Sequence, residues 1–187
     1  MKEFLRLFIS IDFSEEIKDT LYGLAMELKK HSQKGYITKR ENFHLTLAFI
    51  GETKRVQSVI SAMEDTVKAT YLPPFQLNTK GAGRFSGRGR DIYWIGIEEN
   101  EMLNRLNAAL VRELIKREFK MEERAYKPHL TLGREIVLKE DYTFGEFAKK
   151  VPDLSIRIDR INLMKSDRIN GKLTYTTIFT KELADTL

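Results

Sequence analysis

The stretch His44–Leu47 (HLTL) occurs a second time as His129–Leu132, in the other half of the chain. The first residues of the two copies, 44 and 129, are 85 positions apart. Polar and apolar residues alternate in each copy, which predicts a half-buried β-strand. Because residues i and i+2 of a strand face the same side, each copy presents its histidine with its threonine. If the two strands lie side by side, two imidazoles and two hydroxyls converge on one cleft.

The repeat accounts for two of the three histidines in the chain. A single histidine on a strand is more often structural than catalytic, but repetition of the whole His-Leu-Thr-Leu unit favours a functional interpretation. The third histidine, His31, lies in the charged segment KKHSQ at the end of a predicted helix. We predict that His31 is solvated and has no catalytic role.

Composition narrows the class of protein. A chain of 187 residues suits one domain, or two small lobes that share a core. The absence of cysteine excludes disulfides and thiolate metal sites. No apolar run is long enough to cross a membrane, and the N-terminal apolar stretch is interrupted by Arg6 and Asp12, unlike a signal peptide. We therefore expect a cytoplasmic protein, and its net charge of +5 permits a polyanionic partner.

Hydrophobic periodicity predicts a mixture of strands and helices. Gly35 is expected to end the first helix, and Asn170-Gly171 is expected to form a tight turn between the last two strands. A helix precedes each copy of the repeated motif, which indicates two similar lobes with a cleft between them. The predicted strands are 5–13, 43–50, 75–80, 91–97, 129–136, 154–165 and 173–183, and the predicted helices are 15–32, 54–69 and 100–119.

The segment Gly81–Arg90 (GAGRFSGRGR) is the most distinctive loop in the sequence. It contains four glycines, three arginines and no acidic residue. Flexible backbone with basic side chains suits a phosphate chain, which makes Arg84, Arg88 and Arg90 candidate RNA contacts. A solvated hairpin loop explains the same composition, and the sequence leaves both interpretations open. The segment is not a dinucleotide-binding fingerprint, because a strand follows where a helix should begin.

Two histidines that titrate near neutral pH can divide the roles of general acid and general base. The threonine hydroxyls on the same face can donate hydrogen bonds to the oxygens of a phosphate. This combination suits phosphodiester chemistry. Two histidines without an adjacent carboxylate or a third histidine make a poor zinc site, so we expect no metal and no cofactor. A Ser-His-Asp enzyme would not explain two identical motifs.

The sequence resembles a known family, the 2H phosphoesterase superfamily, and specifically the RNA 2′,3′-cyclic phosphodiesterases once called 2′-5′ RNA ligases. The resemblance implies an α+β fold of two pseudo-symmetric antiparallel sheets flanked by outer helices, with the active-site cleft between them. It covers the chain as one domain of two lobes, residues 1–187. The matching segments, in order, are RLFISID, NFHLTLAFIGE, GAGRF, DIYWIGI, KPHLTLGR and INLMKSDRINGKLTY.

The resemblance also implies roles for individual residues. His44 would donate a proton to the departing ribose O3′, and His129 would activate water. Thr46 and Thr131 would contact the phosphate. Phe49 and Arg134 would sandwich the terminal base. Independently of the resemblance, the composition of the basic loop makes Arg84 and Arg88 further candidates for substrate binding. The implied reaction is metal-independent hydrolysis of a 2′,3′-cyclic phosphate RNA end to a 2′-phosphate by a monomeric enzyme.

Three alternatives remain at the level of sequence. The same site could join a 2′,3′-cyclic end to a 5′-hydroxyl without ATP, as a 2′-5′ RNA ligase. The cleft could bind a nucleotide without turnover, although histidine at both motif positions argues against this. The chemistry could also act on a small cyclic nucleotide or a 2′-5′ oligoadenylate.

Overall fold

A computed structural model describes residues 3–87 and 90–184 of the chain. Nine strands and four α-helices make up this part of the protein, with one 3₁₀ turn at Arg40–Asn42. The strands are β1 Leu5–Ile11, β2 Ser32–Ile37, β3 Leu45–Thr53, β4 Phe75–Phe85, β5 Asp91–Ile97, β6 His129–Leu138, β7 Ser155–Ile158, β8 Arg160–Ile169 and β9 Lys172–Glu182. The helices are α1 Glu15–Lys30, α2 Val56–Thr70, α3 Glu101–Lys116 and α4 Phe144–Ala148.

The strands form two antiparallel sheets. The first sheet has the order β3-β1-β8-β9, and the second has the order β2-β6-β5-β4-β7. Every strand pair in these two sheets is antiparallel. The α+β class with two antiparallel sheets is therefore confirmed.

The two sheets are connected by helices that cross between them. Helix α1 follows β1 of the first sheet but packs against β2 and β6 of the second. Helix α3 follows β5 of the second sheet but packs against β3 of the first and against α2. Each lobe is thus covered by a helix that begins in the other lobe.

Strand β1 shows how the core and the cleft are divided. Its residues Leu7, Ile9 and Ile11 are fully buried on one face and belong to the hydrophobic core. Burial of each such side chain contributes roughly 1.5–3 kcal/mol relative to an exposed position. The even-numbered residues face the opposite side, where Phe8 contacts the ring of His44. We call this second side the inner face of β1.

The prediction that Gly35 ends the first helix is wrong. The helix ends at Lys30, and Gly35 lies inside β2, an edge strand of the second sheet. This strand, SQKGYI, is mostly exposed and shows no apolar alternation, so periodicity gives no signal for it. Its backbone pairing with β6 creates the strand instead.

The predicted strand 154–165 is also wrong as a single element. It divides at Asp159 into β7, which pairs with β4 in the second sheet, and β8, which pairs with β1 in the first. Strand β7 alternates in burial, whereas Ile161 to Met164 of β8 are all buried. Buried apolar residues therefore recur on both sides of Asp159 while the chain changes sheets. The turn at Asn170-Gly171 is confirmed, since both residues have positive φ, as a type I′ hairpin requires.

Candidate active site

His44 stands directly before β3 and is held by its own backbone. Its Nδ1 lies 2.7 Å from the carbonyl oxygen of Asn42. A carbonyl only accepts hydrogen bonds, so Nδ1 carries the proton and Nε2 is the titrating nitrogen. Nε2 lies 3.0 Å from Oγ1 of Thr46, which therefore donates to the neutral imidazole. Leu45 and Leu47 are buried on the other side of the strand, as the alternation predicted.

His129 begins β6 and repeats this arrangement. Its Nδ1 lies 2.7 Å from the carbonyl oxygen of Lys127, so it too presents Nε2 as the reacting atom. Thr131 follows on the same strand, and its carbonyl accepts a 2.8 Å hydrogen bond from the hydroxyl of Thr38. Both motifs therefore fix the imidazole through a carbonyl two residues earlier in the chain.

The two motif strands belong to different sheets. Strand β3 is the edge of the first sheet, whereas β6 lies between β2 and β5 in the second, so they are not paired partners within one sheet. Cα atoms of the two strands nevertheless approach within 8 Å. The charge of His129 is among the causes that lower the pKa of His44, which places the imidazoles within electrostatic range.

Burial lowers the pKa of both histidines, and it is the largest cause in each case. For His44, the hydrogen bond to Asn42 and the carboxylate of Asp12 oppose this, while Arg134 and His129 add to it. For His129, the hydrogen bond to the Lys127 carbonyl opposes it, and Arg134 and Arg124 add to it. The unliganded site therefore favours neutral imidazoles, and a bound anion would favour the protonated form.

Aromatic rings surround both histidines. Phe8 and Tyr175 lie against His44, with ring centroids 4.8 and 5.2 Å away. Phe85 and Trp94 lie against His129, at 5.2 and 6.0 Å. Sequence reasoning assigned no role to these four rings. Only for Phe8 did the sequence indicate a position, because the alternation of apolar residues along β1 places it on the face opposite to the core.

Hydrogen bonds from other segments hold the first motif strand in place. The hydroxyl of Tyr126 donates to the carbonyl oxygen of Thr46 at 2.9 Å. The side-chain amide of Asn107, on α3, donates to the carbonyl oxygen of Leu47 at 2.9 Å. Tyr126 stands three residues before His129, so its hydrogen bond links the segments that carry the two histidines.

The predicted substrate-binding residues occupy different surroundings. Phe49 is exposed, and the guanidinium carbon of Arg6 lies 5.3 Å from its ring centroid. Arg134 is exposed, and its charge lowers the pKa of both histidines, so it lies beside the cleft. Arg84 forms a 3.3 Å ion pair with Asp91.

The predicted loop Gly81–Arg90 is not a loop throughout, because Gly81–Phe85 continues β4. Arg90 lies 3.6 Å from the carboxylate of Glu135. Arg88 lies outside the described residues. The prediction that this segment tracks phosphates therefore remains a prediction, and two of its arginines already have acidic partners.

The sequence predicted that His31 is solvated, but in the structure its side chain makes packing contacts. Its ring stacks on Tyr142 with centroids 3.8 Å apart, and its Nε2 lies 3.1 Å from the carboxylate of Glu27. Tyr142 is remote in sequence, so the contact could not be read from the charged segment. The stack belongs to the packing of α1 on the second sheet.

The described residues offer neither a metal cluster nor a membrane-spanning helix. Over residues 3–87 and 90–184, no group of three or more His, Cys, Asp or Glu side chains is placed to hold a metal ion. Within the same ranges, no helix combines the length and apolar character needed to cross a membrane. The expectation of metal-free chemistry is thus left to experiment.

Comparison with known proteins gives a consistent family. The chain is 28% identical over 184 residues to an RNA 2′,3′-cyclic phosphodiesterase of Methanothermobacter thermautotrophicus, covering 92% of this chain and 95% of that protein. It is 29% identical over 163 residues to the protein of the same name from Thermotoga maritima, covering 87% of each.

Among solved structures, Escherichia coli LigT complexed with 3′-AMP has a TM-score of 0.75 and 26% identity, covering 97% of this chain and 99% of that one. The sequence model of the 2′-5′ RNA ligase superfamily matches residues 16–170. That match spans well over half of the 187 residues, so the chain belongs to the 2′-5′ RNA ligase superfamily.

Proposed function

We propose that this protein is an RNA 2′,3′-cyclic phosphodiesterase, which hydrolyses the cyclic phosphate at an RNA end to a 2′-phosphomonoester. The observation that carries the proposal is the pair of histidines at strands of two different sheets, each with Nδ1 bound to a carbonyl and Nε2 as the titrating nitrogen. The relatives described above carry this activity in their names, and LigT was solved with a nucleoside monophosphate.

The proposed reaction uses the two histidines in opposite protonation states. Neutral His129 takes a proton from water through Nε2, and the resulting oxygen attacks phosphorus in line with the departing O3′. Protonated His44 gives its Nε2 proton to O3′ as the phosphorus–oxygen bond breaks. The phosphate then remains on O2′, and the protons balance between the two imidazoles.

Thr46 and Thr131 are proposed to donate hydrogen bonds to the non-bridging phosphate oxygens. In the unliganded protein the Thr46 hydroxyl donates to His44 Nε2. Protonation of His44 removes that acceptor, so the hydroxyl becomes free to turn to the phosphate. Phe49 and Arg134 are proposed to contact the terminal base.

The test is incubation with an RNA that carries a 2′,3′-cyclic phosphate, in the presence of EDTA, followed by identification of the terminal phosphate. A 2′-phosphate formed without metal supports the proposal. Loss of activity on chelation, restored by a divalent ion, would contradict metal independence. A 3′-phosphate product would mean that O2′ leaves, and binding without turnover would leave only a nucleotide-binding module.

The oligomeric state and location are also part of the proposal. Every residue that we assign to catalysis comes from one chain, so we propose a monomer, which light scattering coupled to size-exclusion chromatography would test. A cytoplasmic location is proposed because the substrate is an RNA end.

A further inference from the structure

The inner face of β1 extends beyond the catalytic residues toward the start of the strand. In the register of the first sheet, Phe8 pairs with Phe49 and Arg6 pairs with Glu52 on β3. Residues two apart on a strand share a face, so Arg6 and Phe8 form a row that begins beside His44. Phe4 directly precedes β1 and extends this row, since its ring contacts Lys54, the residue after β3. The row therefore runs from the catalytic cleft to the outer end of the sheet.

Two pairs of a cation and an aromatic ring occupy this row. The guanidinium of Arg6 lies 5.3 Å from the centroid of Phe49, and Nζ of Lys54 lies 4.5 Å from the centroid of Phe4. Both rings are accessible, with 43% of Phe49 and 61% of Phe4 exposed. We call Phe4, Arg6 and Lys54 the outer platform.

The cations of the outer platform are available to a ligand. Among residues 3–87 and 90–184, neither Arg6 nor Lys54 forms an ion pair within 4 Å, although Glu52 lies opposite Arg6 in the register. Arg84 and Arg90 of the glycine-rich segment differ, since they are paired with Asp91 and Glu135. Within the described residues, Arg6 on β1 and Lys54 directly after β3 therefore carry positive charge that no ion pair neutralises.

A cavity of about 410 Å³ adjoins the outer platform. Its lining holds three basic side chains, Lys54, Arg55 and Lys120, and two acidic ones, Glu52 and Glu118. Arg55 lies over the buried ring of Phe119 and 4.0 Å from Glu118, so Phe4 with Lys54 is the pair in this cavity that suits a base and its phosphate. The volume lies within the range of small-molecule sites, roughly 300–1,000 Å³.

We propose that the outer platform is a second RNA subsite, which binds the single-stranded nucleotides that precede the cyclic end. This rests on the proposed function, and it names the substrate as an oligonucleotide rather than a mononucleotide. Exposed rings beside free cations stack bases and neutralise phosphates with little dependence on sequence. The surface is also continuous with the cleft in which the cyclic phosphate reacts.

Strand geometry limits which nucleotides reach it. Residues 8 and 4 of an extended strand are separated by about 13 Å, whereas one step of a stacked helix rises by about 3.4 Å. A terminal base on Phe49 and a base on Phe4 thus require an extended RNA chain between them. Duplex ends should bind less well than single strands.

The experiment compares hydrolysis of adenosine 2′,3′-cyclic phosphate with that of an octanucleotide ending in the same group. The variants are Phe4→Ala and Lys54→Ala, with Phe4→Trp to restore stacking and Lys68→Ala, exposed on α2, as the charge-matched control. Loss of one stacked base should raise KM for the octanucleotide roughly ten-fold, and Lys54→Ala should reduce the salt dependence of its binding. The mononucleotide should be unaffected, Phe4→Trp should restore binding, and Lys68→Ala should change nothing.

Equal losses on both substrates, or no loss on either, would overturn the second subsite. Fluorescence anisotropy with an octanucleotide ending in a 2′-phosphate separates this result from failure of the proposed function. If wild-type protein hydrolyses neither substrate but Phe4→Ala and Lys54→Ala weaken octanucleotide binding, the reaction is wrong and the subsite stands. If wild-type protein hydrolyses both with the same KM, the reaction stands and the subsite falls.

Discussion

His44 and His129 illustrate how a short motif fixes the reactive atom of a side chain. Each imidazole gives Nδ1–H to a carbonyl two residues earlier, at 2.7 Å in both cases. The motif strand buries its leucines, so the ring cannot turn away without disturbing the core. Orientation therefore follows from backbone geometry, while the protonation state follows from burial and neighbouring charge.

Removal of either histidine that we propose as catalytic should act mainly on the chemical step. We expect His44→Ala and His129→Ala each to reduce kcat by roughly 10²–10⁴-fold. The double variant should lose much less than the product of the two, because the histidines act together. Steady-state kinetics on a cyclic-phosphate substrate would measure this.

The matched control is His31→Ala, which removes the remaining histidine. Its contacts with Tyr142 and Glu27 make it a packing residue, so kcat should not change. A large loss with His31→Ala and none with His129→Ala would show that the assignment is wrong.

The pKa of His44 should differ between the free protein and a complex with a phosphate ligand. Burial lowers its pKa in the free protein, so the imidazole should titrate below the ordinary value of about 6.5. A bound phosphate places negative charge beside Nε2 and should raise that pKa. NMR titration of the imidazole signals, with and without a nucleoside 2′-phosphate, would measure both values.

The lowered pKa of His44 also makes the stability of the folded protein depend on pH. A histidine whose pKa is lower folded than unfolded binds fewer protons when folded, so the free energy of unfolding decreases as pH falls below about 6.5. His44→Asn should weaken this dependence. A free-protein pKa above 6.5, or no rise on binding phosphate, would contradict the interpretation.

At the scale of elements, the alternation of apolar and polar residues predicted the strands that bury one face. It failed for an exposed strand, and for two strands whose buried residues continue on both sides of the point where the chain changes sheets. Strand β3 and helix α3 were found because their apolar residues recur with the right period. Strand β2 was missed because it is an exposed edge. The boundary at Asp159 was missed because buried apolar residues recur on both sides of it.

For the candidate site, too, the sequence predicted some residues and missed others. The repeated motif made His44 and His129 the candidates, because one directly precedes and the other begins a strand that carries its own signal. The rings around them, including Tyr175 and Trp94, come from strands that are distant in sequence. Their position depends on sheet order and register, which the local pattern does not contain.

Trp94 and Gly83 show how neighbouring strands support His129, the proposed base on β6. They are paired across β4 and β5, and a Cβ at position 83 would overlap the indole ring. Gly83→Ala should therefore displace the indole, which lies 6.0 Å from the ring of His129. We expect a loss of roughly 1–3 kcal/mol in the free energy of unfolding from overpacking, together with a lower kcat.

The measurement uses the only tryptophan in the chain, whose emission reports its surroundings directly. Gly23→Ala is the matched control, because nothing lies within 4 Å of a Cβ built at that helical position. It should stabilise the protein by roughly 0.5–1 kcal/mol and leave the emission unchanged. Unaltered emission and activity in Gly83→Ala would refute this account of the indole.

At the scale of the whole molecule, the two sheets depend on one another. Helices α1 and α3 each cover the sheet opposite to the one from which they emerge, and β7 and β8 carry the chain directly from one sheet to the other. The hydrogen bond from Tyr126 to Thr46 joins the two motif segments at the cleft. The lobes of this fold are thus interlaced and cannot be divided at any single point in the sequence.

We therefore propose that residues 1–187 behave as one cooperative domain, and we expect a single unfolding transition. Trp94 reports the second sheet by fluorescence, and hydrogen exchange at Leu7 and Ile9 reports the first. Unfolding of either sheet would expose the apolar face of the helix that packs on it and that begins in the other sheet. Both probes should therefore lose the folded signal at the same urea concentration. If β1 lost protection at a lower concentration than Trp94 lost its folded emission, the lobes would be separate folding units. The catalytic arrangement, which requires one histidine from each sheet, would then be lost before the second sheet unfolds.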